Sequence, residues 1–211
     1  MWALLPVKLL DHTKLRLAGI LTRAQRRQLS YCMVEDILDT LDQTSVVSGI
    51  TVISCDDAVF SLAQDYQADV LNTGVDNGYA ADVLKGVEAV SDQDIDKVLI
   101  IPADVPELDH SDLIHLERVH EEGITLCPAE KDGGTNGLVF TPPLAVSLMY
   151  GEDSFAEFCR AAERRQVPVN ITTAGGLARD IDRPDDLLTL QAQPEGNRTW
   201  RYLRSLELAD S

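Results

Sequence analysis

The sequence has few basic residues for its number of acidic ones. Eighteen lysines and arginines stand against 35 aspartates and glutamates, which gives a formal net charge of −17. Nucleic acids and anionic membrane surfaces are bound through clustered lysine and arginine side chains that displace counterions. This composition argues against both classes of partner. Any anionic substrate must instead be met by a few local cations, backbone amides or bound metal.

Cysteine motifs and long hydrophobic runs are also missing. Cys32, Cys55, Cys127 and Cys159 are widely separated and form neither a CxxC motif nor a cysteine/histidine pattern with zinc spacing. We therefore expect reduced thiols in the core. The apolar N-terminus is too short for a signal peptide, and no run reaches the length of a transmembrane helix. These absences predict a cytoplasmic protein with no membrane contact.

Short apolar runs rich in valine, isoleucine and leucine alternate with longer amphipathic stretches, which is typical of βα units around a largely parallel sheet. The predicted strands are Trp2–Pro6, Ile50–Cys55, Lys97–Ile101, Ile124–Cys127 and Leu138–Phe140. The predicted helices are Arg23–Leu41, with Thr22 as its N-cap, and Asp57–Tyr66, Gly78–Val90, Ser111–Glu121, Phe155–Arg165 and Pro184–Leu190. Together they predict a single-domain three-layer α/β/α sandwich with a mostly parallel, mixed sheet.

No linker or repeat interrupts residues 1–193, so we expect them to form one domain, followed by a C-terminal tail over residues 194–211. The tail places Trp200, Leu203 and Leu206 at helical spacing. It either packs back onto the domain or reaches a partner. Its aromatic residues are suited to a small contact between two copies of the chain, as in a homodimer.

Two acidic segments are candidates for a metal site. Asp104 follows the apolar run KVLII between two prolines that stiffen its loop, where it either holds a metal or caps a turn. Asp180 and Asp182 stand two apart in RDIDRPDDL and project from the same side of an extended segment. Such oxygen ligands suit Mg²⁺. The alternative, a solvated start of the next helix, explains Asp185 and Asp186 better.

Basic residues gather near the start of the chain. Lys8, Lys14 and Arg16 follow the first strand in PVKLLDHTKLRL, at the place where a phosphate loop is expected. The segment has no glycine before Gly19, so it is neither a Walker loop nor a GxGxxG fingerprint. The side chains themselves would then neutralise phosphates. Each one alone is explained as well by a surface charge, but three in so short a segment of an acidic chain favour an anion site.

Three loops rich in small residues complete the candidate site. In KDGGTNG, glycines permit close backbone approach and Thr135 supplies a hydrogen bond, or the segment is a hairpin turn. In YGEDSF, Ser154 either caps the following helix or helps to hold an anion at its free amides. In NTGVDNG, Asn77 and Gly78 open a helix and either contact a base or ribose or make a turn.

The order and spacing of these segments resemble the 2-phospho-L-lactate guanylyltransferase family of deazaflavin coenzyme F-420 biosynthesis. PVKxxxxxKxRL, PADVPEL, GGTNGL and DIDRPDDL carry the resemblance, which extends from about Ala3 to Leu190. The family is related to glycosyltransferase-A-like nucleotidyltransferases of the nucleotide-diphospho-sugar transferase type, and it replaces their glycine-rich opening with Pro-Val-Lys. This chain departs from the family at AEKDGGTN, so we expect Lys131 and Asp132 to alter its acceptor preference.

The resemblance implies a Mg²⁺-dependent reaction of GTP with 2-phospho-L-lactate that gives lactyl-2-diphospho-5′-guanosine and pyrophosphate. Relatives use phosphoenolpyruvate or 3-phosphoglycerate instead. By motif match, the resemblance implies that Asp104, Asp180 and Asp182 are the metal ligands. The catalytic residues are Lys8, Lys14, Arg16 and Asp104, of which the three basic ones contact the triphosphate. Asn77 and Gly78 are further nucleotide contacts, and the acceptor contacts are Thr135, Gly151 and Ser154. Two alternatives stay open: a related nucleotidyltransferase with other substrates, and a non-catalytic nucleotide-binding protein.

Overall fold

The computed structural model describes residues 1–151 and 153–206. Seven strands in these residues form one sheet: β1 Trp2–Pro6, β2 Gly49–Ser54, β3 Asp69–Asn72, β4 Val98–Ile100, β5 Ile124–Pro128, β6 Thr135–Phe140 and β7 Val169–Ile171. The α-helices in the same residues are α1 Arg23–Gln43, α2 Asp57–Asp65, α3 Tyr79–Val90, α4 His110–Val119, α5 Ser154–Arg165, α6 Pro184–Gln191 and α7 Arg198–Ser205. Two short 3₁₀ turns, Leu10–His12 and Leu15–Leu17, follow β1.

The direction of β6 decides which loops meet. The strand order is β3-β2-β1-β4-β6-β5-β7, and β6 is antiparallel to both of its neighbours while the other pairings are parallel. Ile100 near the end of β4 pairs with Leu138, so the first residues of β6 lie at the edge where the parallel strands have their carboxyl ends. Ligands of open α/β sheets bind beyond this edge. The start of β6 therefore joins the loops that follow β1 and β4.

Two apolar clusters lie on opposite faces of the sheet. On one face, α1, α2 and α4 contribute Ile37, Leu62 and Leu113, and on the other, α3 and α5 contribute Val83 and Phe158. The predicted three-layer α/β/α sandwich with a mostly parallel, mixed sheet is confirmed. None of the described helices has the length and apolar character needed to cross a membrane.

Helix α1 is buried on both sides. Its predicted N-cap is present, because the side chain of Thr22 accepts a hydrogen bond from the amide of Gln25. The face turned away from the sheet packs Leu29 and Met33 against α6 and α7, where Leu203 is fully buried. Helix α7 therefore packs on the domain. The division of the chain after residue 193 stays a prediction, and residues 207–211 of the predicted tail lie outside the described residues.

The sequence pattern does not predict β3 and β7, which are the two edges of the sheet. Every residue of β7 is exposed, as are most residues of β3, so neither segment has a buried apolar run. β6 also begins before the predicted Leu138, because Gly137 pairs with Cys127 and Thr135 pairs with Pro128 of β5, across a register shift that leaves the buried Asn136 between them. KDGGTNG is thus partly a hairpin turn and partly strand.

Candidate active site

Three aspartates meet at the carboxyl edge of the sheet. Asp104 follows β4, while Asp180 and Asp182 precede α6, and one carboxylate oxygen of each lies within 4.8 Å of the others. The backbone N–H of Ile181 donates to the carbonyl of Asp104 at 3.0 Å, which ties the two segments together. The structure therefore brings together the three predicted metal ligands. Their hard oxygen atoms fit Mg²⁺, and the ion itself stays a prediction.

Lys14 and Arg16 contact the same carboxylates. The ammonium of Lys14 donates to Asp104 at 2.6 Å and to Asp182 at 2.9 Å, and Arg16 donates to the second oxygen of Asp182 at 2.7 Å. The Lys14 side chain is 6% exposed and that of Arg16 is 60% exposed. An ammonium has three N–H donors, so Lys14 keeps one for a phosphate oxygen. Both cations compensate carboxylate charge and remain candidates for contacting a triphosphate.

The charges shift the protonation of this cluster. Burial opposes the charge on Lys14, but Asp104 and Asp182 outweigh it and raise the pKa of its ammonium. Burial also acts to raise the pKa of Asp182, yet Lys14 and Arg16 bring the pKa of this carboxyl below its usual value. Burial and the charge of Asp104 raise the pKa of Asp180, which has no cationic partner among the described residues. Asp180 is thus the carboxylate that a bound cation would affect most.

Side chains hold the basic loop, residues 8–16, in shape, since this segment lacks the glycines of common phosphate loops. Lys14 has φ 53° and ψ 39°, a left-handed conformation that costs a residue with a side chain about 1–2 kcal/mol. Asp56, the N-cap residue of α2, accepts from the amide of Leu10 at 3.0 Å. Arg27 on α1 donates to the same carboxylate oxygen at 3.3 Å. These anchors explain how a segment without glycine before Gly19 forms a defined turn.

Two cavities open onto the aspartates. The lysine cavity has a volume of about 320 Å³, and its lining includes Lys8, Lys14, Arg16, Asp104 and Asp182. The asparagine cavity has a volume of about 600 Å³, and its lining includes Lys8, Asn77, Gly78, Tyr79, Asp104, Thr135, Asn136, Tyr150, Gly151 and Asp180. Lys8, Tyr79 and Asp104 belong to both walls. The metal candidate Asp104 therefore stands where the two cavities meet.

The predicted acceptor residues lie close together. Thr135 and Gly151 line the asparagine cavity, and Gly151 has φ 138°, which residues with a side chain rarely adopt. Ser154 is buried, its amide donates to the carbonyl of Gly151 at 3.2 Å, and its hydroxyl donates to the hydroxyl of Thr135 at 3.3 Å. Two of the three predicted residues thus form the cavity wall, and the third supports them.

Asn77 and Gly78 are also part of the asparagine cavity lining. Asn77 donates to the carbonyl of Val75 at 2.9 Å and to Asp82 at 3.4 Å, and Gly78 has φ 87° directly before α3. The turn, one of the two alternatives for this segment, is therefore present. Both residues also face the cavity, and their contact with a nucleotide stays a prediction.

Three residues of the site escaped the sequence reasoning. The interpretation of Asp186 as part of a solvated helix start is wrong, because this residue is 5% exposed and accepts from the amides of Asp182 at 2.9 Å and Arg183 at 2.7 Å. Its second oxygen pairs with Lys131. The other two are Tyr79 and Tyr150 in the asparagine cavity. Their positions in the sequence, next to the candidate residues Gly78 and Gly151, are the only local indication of their role.

The sequence is similar to those of known proteins over its whole length. Residues 1–211 match the family described as "Guanylyl transferase CofC like". A phosphoenolpyruvate guanylyltransferase of Roseiflexus castenholzii is 38% identical over 97% of this chain and 94% of its own length. A 2-phospho-L-lactate guanylyltransferase of Methanobrevibacter smithii is 27% identical over 98% of this chain and 91% of its own length.

The fold also has solved relatives. A crystal structure from Desulfovibrio desulfuricans G20, assigned to the nucleotide-diphospho-sugar transferases, superposes with a TM-score of 0.78 at 16% identity and covers 96% of this chain and 93% of its own. At this identity the likeness concerns the fold alone. It agrees with the fold type that the sequence motifs imply.

Proposed function

Since the chain belongs to the CofC-like guanylyl transferase family, we propose that it transfers GMP from GTP to the phosphate group of a small phosphorylated acid and releases pyrophosphate. The observation that carries this proposal is the meeting of Asp104, Asp180 and Asp182 with Lys14 and Arg16 where two cavities join. One cavity offers cations suited to a triphosphate. The other offers small and polar residues suited to a second substrate, and because the predicted nucleotide contacts Asn77 and Gly78 line it too, part of the nucleotide would extend into it.

For the acceptor, we propose phosphoenolpyruvate ahead of 2-phospho-L-lactate. The relative at 38% identity is named for phosphoenolpyruvate, and the one named for 2-phospho-L-lactate is 27% identical. Both acids carry a phosphate beside a carboxylate on a three-carbon skeleton, so the same arrangement of donors fits both. 2-Phospho-L-lactate, the acceptor that the motifs imply, stays a prediction and is the second candidate.

The reaction asks the protein to position and neutralise its substrates. An oxygen of the acceptor phosphate attacks the α-phosphorus of GTP, a new P–O bond forms, and the α–β bridging bond breaks as pyrophosphate leaves with the electron pair. A phosphate monoester is largely deprotonated at neutral pH because its second pKa is about 6, so no strong general base is needed. Lys8, Lys14 and Arg16 would stabilise the charge that develops on the leaving pyrophosphate.

The carboxylates would hold the magnesium ion that the family resemblance implies. Three oxygen donors within 4.8 Å fit its ligand preference. Bound there, it would compensate the repulsion between two anionic reactants. Lys14 pairs with both Asp104 and Asp182, so its ammonium holds these side chains in place and would compete with the ion for the same oxygens.

A substrate matrix tests the proposal. Purified protein with Mg²⁺ is mixed with GTP, ATP, CTP or UTP and with phosphoenolpyruvate, 2-phospho-L-lactate or 3-phosphoglycerate, and pyrophosphate release is followed, with each component omitted in turn. We expect release with GTP, fastest with phosphoenolpyruvate, and a product of the corresponding mass. Faster turnover of another nucleotide would contradict the guanylyl assignment. If the protein binds GTP but releases no pyrophosphate with any of the acids, it is a non-catalytic nucleotide-binding protein.

A further inference from the structure

Tyr150 has a hydroxyl group that the proposed function does not use. The residue lines the asparagine cavity beside Tyr79 and directly precedes Gly151. Its hydroxyl oxygen is buried and has no hydrogen-bond partner within residues 1–151 and 153–206. Buried polar groups of folded proteins are hydrogen-bonded in the large majority of cases. An unpaired hydroxyl on a residue of a cavity wall therefore points to a ligand.

Packing alone does not account for a tyrosine at this position. The ring meets that of Tyr79 edge-on, with centroids 4.7 Å apart, and that of Phe158 edge-on at 5.5 Å. A phenylalanine would make the same contacts. The hydroxyl adds the free-energy cost of removing a polar group from water without a hydrogen bond in exchange. A ligand oxygen that accepts from this hydroxyl would supply the missing bond.

The charges around the asparagine cavity indicate the kind of ligand. Among the described residues of its lining, Lys8 is positively charged, and Asp104 and Asp180 are negatively charged. An anion that enters this cavity therefore depends on neutral donors for much of its hydrogen bonding. Burial raises the pKa of Tyr150 far above neutral pH, so its hydroxyl keeps the proton and can donate.

We propose that the Tyr150 hydroxyl donates a hydrogen bond to an anionic oxygen of the phosphorylated acid, in its carboxylate or its phosphoryl group. The inference rests on the proposed function, since it takes the asparagine cavity as the acceptor side. Tyr150 belongs to the same segment as Gly151, whose carbonyl accepts from Ser154, the residue that in turn supports Thr135. Because the hydroxyl is covered, the bond forms only if a neighbouring side chain shifts when the acid binds.

Tyr150→Phe tests this contact, with Tyr66→Phe as the matched control. Tyr66 donates its hydroxyl to Asp39 and lines neither cavity. We expect Tyr150→Phe to raise the KM for phosphoenolpyruvate at least about 10-fold, as for the loss of a hydrogen bond to a charged group, and to change the KM for GTP less than about 2-fold. Without substrates, its unfolding midpoint should equal or exceed that of the wild type. Tyr66→Phe should lower the midpoint and leave both KM values unchanged.

The same variant distinguishes the two kinds of anionic oxygen. Glycerol 2-phosphate has a phosphoryl group and no carboxylate, and its inhibition constant against phosphoenolpyruvate is measured for the wild type and for Tyr150→Phe. A constant that rises in the variant as much as the KM for phosphoenolpyruvate assigns the bond to the phosphoryl group. An unchanged constant, with a raised KM for the acid, assigns it to the carboxylate.

Failure of this inference is distinct from failure of the proposed function. An active wild type with an unchanged KM for the acid in Tyr150→Phe overturns the contact and leaves the function intact. A loss of stability in unliganded Tyr150→Phe as large as in Tyr66→Phe also overturns it. If the wild type releases no pyrophosphate, the proposed function fails. The contact is then tested by measuring how far phosphoenolpyruvate with Mg²⁺ protects each protein from thermal unfolding. Protection of the wild type that is lost in Tyr150→Phe supports the contact, and protection that is equal or absent in both proteins overturns it.

Discussion

The ammonium of Lys14 lies 2.6 Å from a carboxylate oxygen of Asp104, although the two residues are 90 positions apart in the chain. The contact joins the loop after β1 to the loop after β4, and the bond from Lys14 to Asp182 extends it to the segment before α6. One side chain thus links the predicted phosphate loop to the predicted metal ligands. Charge balance at this point is the physical basis of the first two predictions.

We expect Lys14→Met to lower guanylyl transfer by about 10²-fold or more, the scale seen when one preorganised electrostatic stabiliser is removed. The variant removes a charge that Asp104 and Asp182 share. Lys97→Met is the control, since Lys97 pairs with Glu117 beside the start of β4, at the opposite end of the strand from Asp104. Turnover with saturating GTP and acid is measured for both. Equal losses in the two variants would contradict the special role of Lys14.

We expect Asp182→Asn to lower turnover by on the order of 10²-fold and to raise the Mg²⁺ concentration needed for half-maximal rate. The amide removes one of the three clustered carboxylates and an anchor of Lys14 and Arg16. Asp185→Asn is the control, because it makes the same chemical change at an exposed residue in the first turn of α6. Wild-type turnover in a folded Asp182→Asn protein would refute the metal assignment.

Helix α7 should matter for stability through Leu203. This side chain is fully buried against α1 and α6, and Asp36 on α1 accepts from the amide of Thr199 at 2.8 Å at the start of α7. We expect Leu203→Ala to lower the free energy of unfolding by about 2–5 kcal/mol. The matched change Leu188→Ala, at a leucine that is 56% exposed, should alter it by less than about 0.5 kcal/mol. Chemical denaturation measures both, and similar small effects would show that α7 packs loosely.

Because of Asp109, the free energy of unfolding should depend on pH in the acidic range. Hydrogen bonds from Ser111, then from the amide of Asp112, lower the pKa of this N-cap carboxyl of α4. A carboxyl with a lowered folded-state pKa contributes stability above its unfolded value of about 3.9, and this contribution is lost as the pH falls through the folded value. An asparagine also caps a helix but does not titrate. The free energy of unfolding of the wild type should therefore fall towards that of Asp109→Asn as the pH is lowered from about 6 to about 3. Melting curves across this range measure it, and a difference that does not vary with pH would count against the lowered pKa.

Much of the central fold follows from local patterns. Buried strands carry apolar runs, and α1 carries both its cap at Thr22 and its apolar stripe, so these elements are predictable without knowledge of the tertiary structure. Edge strands lack that signal. β7 pairs on one side and exposes all of its residues, and β3 exposes most of its own, so hydrophobicity did not reveal them.

The sequence by itself determined the alternation of strands and helices, the acidic character of the chain and the identity of the candidate ligands, because these depend on residue type and local period. Only the tertiary structure decided that Lys14 pairs with Asp104 and Asp182, and that Asp186 is buried beneath the segment before α6. It also decided that Tyr150 leaves its hydroxyl unpaired within the described residues. The reason is that ion pairing and burial depend on which loops an antiparallel β6 brings to one edge of the sheet, and no local pattern of residues encodes that meeting.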